Sequence, residues 1–478
     1  MTDNRSPGAG GSVGNAGDTF ARKSDWRLPF ILFFCSLLVR VLYVVFLNVN
    51  RLSHGQNIFR LHGDDQGSYW KFAMAILEGR SWLTSDVSFR PPLYPLFLSF
   101  IASVFGPGKN FITIMVAQCV IGSFSVLLIY FIAKTIFNKR TAVLSASWAA
   151  LYPLFLYYCG FLLGETMVIF LFLLFTFVLV TFLREKKPLL MAGSGILYAF
   201  LIHADPRFLF YFPFVFLYLL IGLANLKETV KPFVIFSLAV LLFSVPWAVR
   251  NHFAYKDRFV LIDTRTLDVW AKRTATNVQG RPGNGPDSAG SRRINRIEKF
   301  EEWKKQTLRG NSGDGRDARD DNGSGKGPAR KISQEERSAF ENGVRPSFSI
   351  SGLYLHHFIE FWRFARFTPG YNPYPDLRFE RKWGTGRNII GMAFTGVLFP
   401  LLAAGIFFCL KGRDRFRLII CALVFTHLLL HVIVHSRERY RMPIEGFIFM
   451  VAFYGLWEIV ARFKMNTKSA DRYETGQG

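Results

Sequence analysis

The chain has 478 residues, 50% of them hydrophobic and 16% aromatic, with 51 Phe and a net charge of +24. Such a composition excludes an ordinary set of soluble domains, because about 20 consecutive apolar residues make one bilayer crossing and several runs reach that length. The basic excess does not imply a nucleic-acid partner: Lys and Arg collect at cytoplasmic helix ends and on faces toward anionic lipid.

Residues 1–27 are Gly-, Ser- and Asn-rich, lack an apolar signal segment and read as a disordered cytoplasmic tail. Spans are expected at 28–48, 112–136, 141–160, 163–183, 189–206, 208–226, 232–250, 388–410, 416–435 and 442–462. This gives an all-α polytopic membrane protein of about ten transmembrane helices. With the N-terminus inside, "NKR" at 138–140, "REKK" at 184–187, Lys227 and Lys231, "KGRDRFR" at 411–417, and Arg462, Lys464 and Lys468 all fall on the cytoplasmic side. The agreement requires 91–106, "PPLYPLFLSFIASVFG", to stay on the outer side as a juxtamembrane or re-entrant helix.

The expected organisation follows. A transmembrane module covers 28–250, with a first outer loop at 49–111. A large outer loop covers 251–387, flexible over its Gly- and charge-rich 278–345 and amphipathic at 354–375. Further spans over 388–463 lead to a cytoplasmic tail at 464–478. Both termini are then cytoplasmic in a multi-pass plasma (inner) membrane protein. The spans read as apolar through their middles. The five cysteines lie in or beside apolar runs without metal or disulfide spacing and read as small core residues.

Ionisable residues gather at the outer ends. Asp64 and Asp65 stand in "HGDDQGSYWKFAMAILEG", at 62–79, beside Tyr69 and Trp70. Carboxylates favour helix N-termini, so an acidic helix start is the plain reading; set against an aromatic wall, the same carboxylate can serve as a general base. Glu165 opens a span, where a charge is costly and marks a functional candidate. Arg437, Arg439 and Arg441 occupy a short outer loop, against the charge rule, which a bound anion would explain. Arg90, Arg207 and Arg250 join them on that side. His427, His431 and His435 share one helix face, read as a polar seam rather than a metal stripe. There is no Walker loop, GxSxG, HExxH or dinucleotide fingerprint, so no Rossmann-held nucleotide sugar is expected.

Four stretches in order resemble the GT-C class of integral-membrane glycosyltransferases. The resemblance is nearest the branch of bacterial aminoarabinose transferases and protein O-mannosyltransferases. They are "GDDQGSYWKFAMAILEG" with "RPPLYPLFLSF"; Ser145–Met167 with its "LYP" and "GET"; "SVPWAVRN" with "FVLIDTRT"; and "RYRMPIEGF" at 439–447. The resemblance implies transfer of a sugar from a polyprenyl-phosphate donor to an acceptor hydroxyl, with inversion, on the outer face. Asp65, four residues before Tyr69, aligns as the base, with Asp64 in reserve. Arg439 and Arg441 would stabilise the leaving phosphate, assisted by Arg437 and Arg250, and Glu165 would bind sugar hydroxyls or orient an arginine. Acceptors of the class are glycolipids, cell-wall polymers or protein hydroxyls. Some members use a divalent metal and others none, so the cofactor stays open. At "HADPRF" this chain departs from the class pattern, which leaves a pairing of Asp205 with Arg207 in doubt. A flippase of a lipid-linked saccharide is the alternative. It would need broken helices or polar groups at the bilayer midplane.

Overall fold

The computed structural model describes residues 26–53, 64–79, 90–106, 111–254, 260–262, 393–434 and 438–474, and these belong to one unit, Met1–Leu267 with His357–Gly478. The expectations for the N-terminal tail, the 278–345 segment, the 354–375 helix, Arg437 and His435 lie outside the described residues.

The described residues are helical, with no strand among them. Helix α1 is Arg27–Ser53, α2 Asp64–Leu77, α3 Leu93–Phe105, α4 Ile112–Ile136, α5 Lys139–Leu151 and α6 Pro153–Cys159. Then come α7 Glu165–Glu185, α8 Pro188–Ala204, a 3-10 turn Pro206–Tyr211, α9 Phe212–Leu223 and α10 Leu226–Ala254. Beyond the large loop lie α11 Leu398–Gly412, α12 Arg415–Val434, a 3-10 turn Glu438–Arg441 and α13 Met442–Glu474.

Among the described residues, eight helices are long and apolar enough to cross a membrane, and α5 with α6 makes a ninth if the bent pair is one span. The chain is thus a polytopic helical membrane protein. Two of the ten expected spans differ. The 189–206 segment is the shorter apolar helix α8, begun by Pro188 and stopped at Asp205. The 141–160 segment bends by 48° between Leu151 and Pro153.

That bend has a local cause and a distant repair. The ring of Pro153 forces Tyr152 into an extended conformation, φ −64° and ψ 118°, and supplies no N–H to the carbonyl four residues back, Ala149. Arg40 of α1 makes up the loss, its Nη2 donating to the Ala149 carbonyl and its Nη1 to that of Ala150, each at 3.3 Å. Its Nη1 also donates to the Ser36 hydroxyl. Arg40 is fully buried, so the spans are not apolar through their middles as expected.

Helix α3 is 13 residues long, starts after two prolines, carries Pro95 in its first turn where no intrahelical N–H is needed, and stops at Gly106 with φ +81°. Asn138 caps α5 by accepting the Thr141 N–H at 2.8 Å. Helices α11 and α13 meet backbone to backbone: a Cβ on Gly405 would lie 1.9 Å from the Val451 carbonyl oxygen. The bundle centre is aromatic. Phe172 packs edge-on against Phe447 with centroids 5.3 Å apart, and Tyr198 lies 5.2 Å from Phe236.

The two ends of the bundle differ in charge. At one end Arg184 donates to the Thr135 carbonyl, Arg140 lies 4.0 Å over Trp457, and Arg417 donates to the Tyr454 hydroxyl at 2.6 Å. The other end carries the mixed-charge cluster described next.

Candidate active site

Asp65 stands at the start of α2, where a helix N-terminus favours a carboxylate. The turn is fastened by the next residue, whose Gln66 Oε1 accepts the Leu162 N–H at 3.0 Å from the link before α7. Arg90, just ahead of α3, donates from Nη2 to Asp65 Oδ1 at 2.5 Å. Arg439, in the 3-10 turn before α13, donates from Nη1 to Oδ2 at 3.3 Å. The same Nη1 lies 3.8 Å from Glu165 Oε1, at the start of α7. Residues 65, 90, 165 and 439, from four parts of the chain, thus form one ion-pair cluster.

The cluster is open. Asp65 and Arg439 side chains keep 28% and 29% exposure, so water and a ligand reach both. At that exposure a single pair contributes at most about 1 kcal/mol, and an incoming charge can compete with it.

Arg207 lies beside the cluster. Asp205 caps the 3-10 turn by accepting the Arg207 N–H at 3.1 Å, and its carboxylate also takes Arg207 Nε at 2.8 Å and Nη2 at 2.5 Å. The departure at "HADPRF" is therefore a closed, forked ion pair. The Arg207 guanidinium lies 4.0 Å from the Tyr440 ring centroid, and that of Arg439 lies 5.3 Å from it. Arg439 Nε and Arg207 Nη1 are buried without a hydrogen-bond partner. Leaving such a donor unsatisfied costs about 1–3 kcal/mol, more when it is charged. Two spare guanidinium donors near one tyrosine suit an anion.

Tyr69 lies under Arg90, 5.0 Å from its guanidinium, and meets Tyr94 edge-on at 5.1 Å. Burial pushes its phenol well above the ordinary range; Arg90 opposes this, and the Glu165 and Asp65 carboxylates add to it. Tyr69 is therefore a neutral wall that supports Arg90.

Other expected site residues lie elsewhere. Arg441 is fully buried; its Nε donates to Glu445 at 2.6 Å, and Tyr152 donates to the same carboxylate at 3.0 Å. Arg250 donates to Asn251 at 2.9 Å and stacks on Trp247 at 4.9 Å. Asn251 and Trp247 in turn donate to the Ile262 carbonyl at 3.2 and 2.8 Å, which explains why "SVPWAVRN" and "FVLIDTRT" go together. Asp64 is the first residue of α2; its side chain and Arg437 are not among the described positions.

His427 makes the polar seam. A carbonyl only accepts, so His427 Nε2–H donates to Tyr440 O at 2.6 Å, and Nδ1 accepts from the Tyr211 hydroxyl. The ring of His431 stacks on it at 4.2 Å. Among the described residues no three His, Cys, Asp or Glu side chains converge on a metal position. Asp65 and Glu165 both face Arg439, so a divalent ion between them would sit against a guanidinium. The described residues do not fit a resident metal.

Sequence reasoning left the pairing of Asp205 with Arg207 in doubt, and missed Tyr440 and the spare donors. Tyr440 lies within "RYR", and the Asp-x-Arg spacing of "DPR" is an N-cap pattern, so both had a local signal.

Residues 89–249 match the family model described as dolichyl-phosphate-mannose-protein mannosyltransferase, a stretch that holds Arg90, Glu165 and Arg207. Among curated proteins there is no match. Among solved structures, the apo oligosaccharyltransferase of Archaeoglobus fulgidus superposes with a TM-score of 0.54 at 14% identity, over 95% of this chain and 52% of that one. The A. fulgidus oligosaccharyltransferase AglB, in complex with an inhibitory peptide and a dolichol-phosphate, gives 0.50 at 13% identity, over 94% and 52%. This chain spans about half the length of those structures. It is similar to them in fold.

Proposed function

We propose that this protein is a glycosyltransferase that moves a sugar from a polyprenyl-phosphate donor to an acceptor hydroxyl, with inversion, at the outer face of the plasma membrane. The observation that carries the reading is Asp65 held between Arg90 and Arg439, next to two guanidiniums with donors to spare. The cluster lies at the bundle end opposite the Lys/Arg-rich loops, which supports a periplasmic or exterior site and cytoplasmic termini. The match to a dolichyl-phosphate-mannose family and the dolichol-phosphate of AglB support a lipid-linked donor.

The acceptor oxygen forms a bond to the anomeric carbon, and its proton passes to Asp65, which becomes a carboxylic acid. The bond from that carbon to the phosphate oxygen breaks with its electron pair, and the lipid phosphate leaves as an anion. Arg439 and Arg207 donate to the developing charge. Glu165 keeps Arg439 in place.

The flippase reading gains one observation, the bent pair α5–α6 with Arg40 buried beside it. Arg40 is occupied there by backbone carbonyls, which is a repair of the helix rather than a path.

The test is transfer of radiolabelled sugar from a panel of polyprenyl-phosphate sugars in proteoliposomes. Asp65→Asn is expected to lower turnover about 10²–10⁴-fold and Arg439→Ala about 10²–10³-fold. Labelled lipid that crosses the bilayer with no donor consumed would replace the transferase by the flippase.

A further inference from the structure

Arg207 and Arg439 lie against one ring, their guanidinium carbons 4.0 and 5.3 Å from the Tyr440 centroid. The two cations are not held alike. Arg439 rests on carboxylates from distant parts of the chain, at 3.3 and 3.8 Å. Arg207 is clamped by a residue two positions before it. Asp205 takes Arg207 Nε with both carboxylate oxygens, at 2.8 and 3.0 Å, and Nη2 with Oδ2 at 2.5 Å. The clamp is itself fixed, because Oδ1 also accepts the Arg207 backbone N–H as the cap of the 3-10 turn. The Asp205 side chain is only 10% exposed, so salt and water screen the pair little. An unclamped arginine offers a phosphate a two-pronged edge, Nε with Nη2. Here that edge is taken up inside the protein. What remains is Nη1, buried and without a hydrogen-bond partner. The clamp also offsets much of the charge that Arg207 would bring to an anion.

We propose that Asp205 is a positioning residue that leaves Arg207 one free amino group and thereby sets how fast the spent lipid phosphate departs. The inference rests on the transferase reading. In that reading the donor is a phosphate diester with a single negative charge. When the bond from the anomeric carbon breaks, the electron pair stays on the phosphate oxygen. The lipid is then a monoester that carries about −1.5 to −2 at neutral pH. A seat with two unrestrained guanidiniums would hold this product more tightly than the donor. Asp205 withholds the fork and opposes the added charge, while Nη1 still donates to the oxygen that develops it. Stabilising the transition state raises the rate only if the product is not held as firmly.

The probe is undecaprenyl phosphate, titrated into the purified full chain in nanodiscs, so this arm needs no turnover. A second arm follows burst kinetics with the donor of the panel that is consumed. Asp205→Asn and Asp205→Ser each keep a capping oxygen and remove the charge. Each is expected to bind the probe about fivefold more tightly than wild type, and to show a burst of product ahead of a slower steady state. A merely structural role would weaken binding and give no burst. In an Arg207→Gln background the same substitutions should leave binding unchanged, because no guanidinium is there to be released. Tightening of equal size in that background would mean plain repulsion between Asp205 and the phosphate and would overturn the inference. Unchanged or weaker binding by the Asp205 variants, or failure of both to fold, would also overturn it and leave the transferase standing. A single variant that fails to fold leaves the other to decide. Absence of binding by wild type would remove the lipid-phosphate donor and this inference together.

Discussion

Arg439 and Arg441 stand two positions apart in a 3-10 turn, where only residues three apart share a face. One therefore looks into the cluster and the other into the bundle, where Glu445, one helical turn on, receives it. Their substitutions should separate. Arg441→Ala leaves a buried carboxylate unpaired and is expected to cost about 3–5 kcal/mol, seen as early thermal unfolding in detergent. Arg439→Ala removes partly exposed pairs, is expected to stay within about 1 kcal/mol of wild type, and loses transfer. Replacing both members of the buried pair, Arg441→Met with Glu445→Leu, should recover most of the stability. If Arg441→Ala unfolds no earlier than Arg439→Ala, Arg441 is not structural. The sequence marked both arginines through charge on the unfavoured side of a span. It could not divide them, because an unassigned loop has no faces.

Among elements, the broken span α5–α6 is the one whose logic crosses the chain. Proline spacing made α3 legible as a short helix, since prolines and length act locally. The bend at Pro153 had the same local signal in "LYP", but its partner Arg40 lies 109 residues from Ala149, where no period or spacing reaches. A double-mutant cycle tests the repair. Arg40→Met should cost about 2–3 kcal/mol by orphaning two carbonyls. In a Pro153→Ala background, where the new N–H can reach the Ala149 carbonyl, the cost should fall by about 1 kcal/mol. Strict additivity in thermal or denaturant unfolding would separate Arg40 from the bend.

For the whole molecule, the charge rule alone sorted the loops into two sets, and the cluster lies with the set that holds residues 65, 90, 165, 207 and 439. The sequence could place these groups on one side; which of them touch is a matter of distances between helices far apart in the chain. Arg40 has a last consequence, for the birth of the protein. It lies midway along the first span, where Ser36 of the same helix meets one amino group, while the Ala149 and Ala150 carbonyls of α5 are made much later. A lone arginine at a helix centre costs about 2.5–3.5 kcal/mol on insertion, against about −0.3 to −0.6 for each apolar residue. Helix α1 holds sixteen Leu, Ile, Phe and Val between 27 and 49, so it enters the membrane regardless. Until α5 exists, however, the guanidinium must reach for a headgroup, and the nascent helix rides off its final depth. Glycosylation-distance mapping on ribosome-stalled chains should find α1 displaced when synthesis stops near residue 110, with α1 clear of the ribosome and α5 not yet made, and settled once it passes residue 210. Arg40→Leu should hold one depth throughout. A wild-type helix that never shifts would mean that the first span waits for no one.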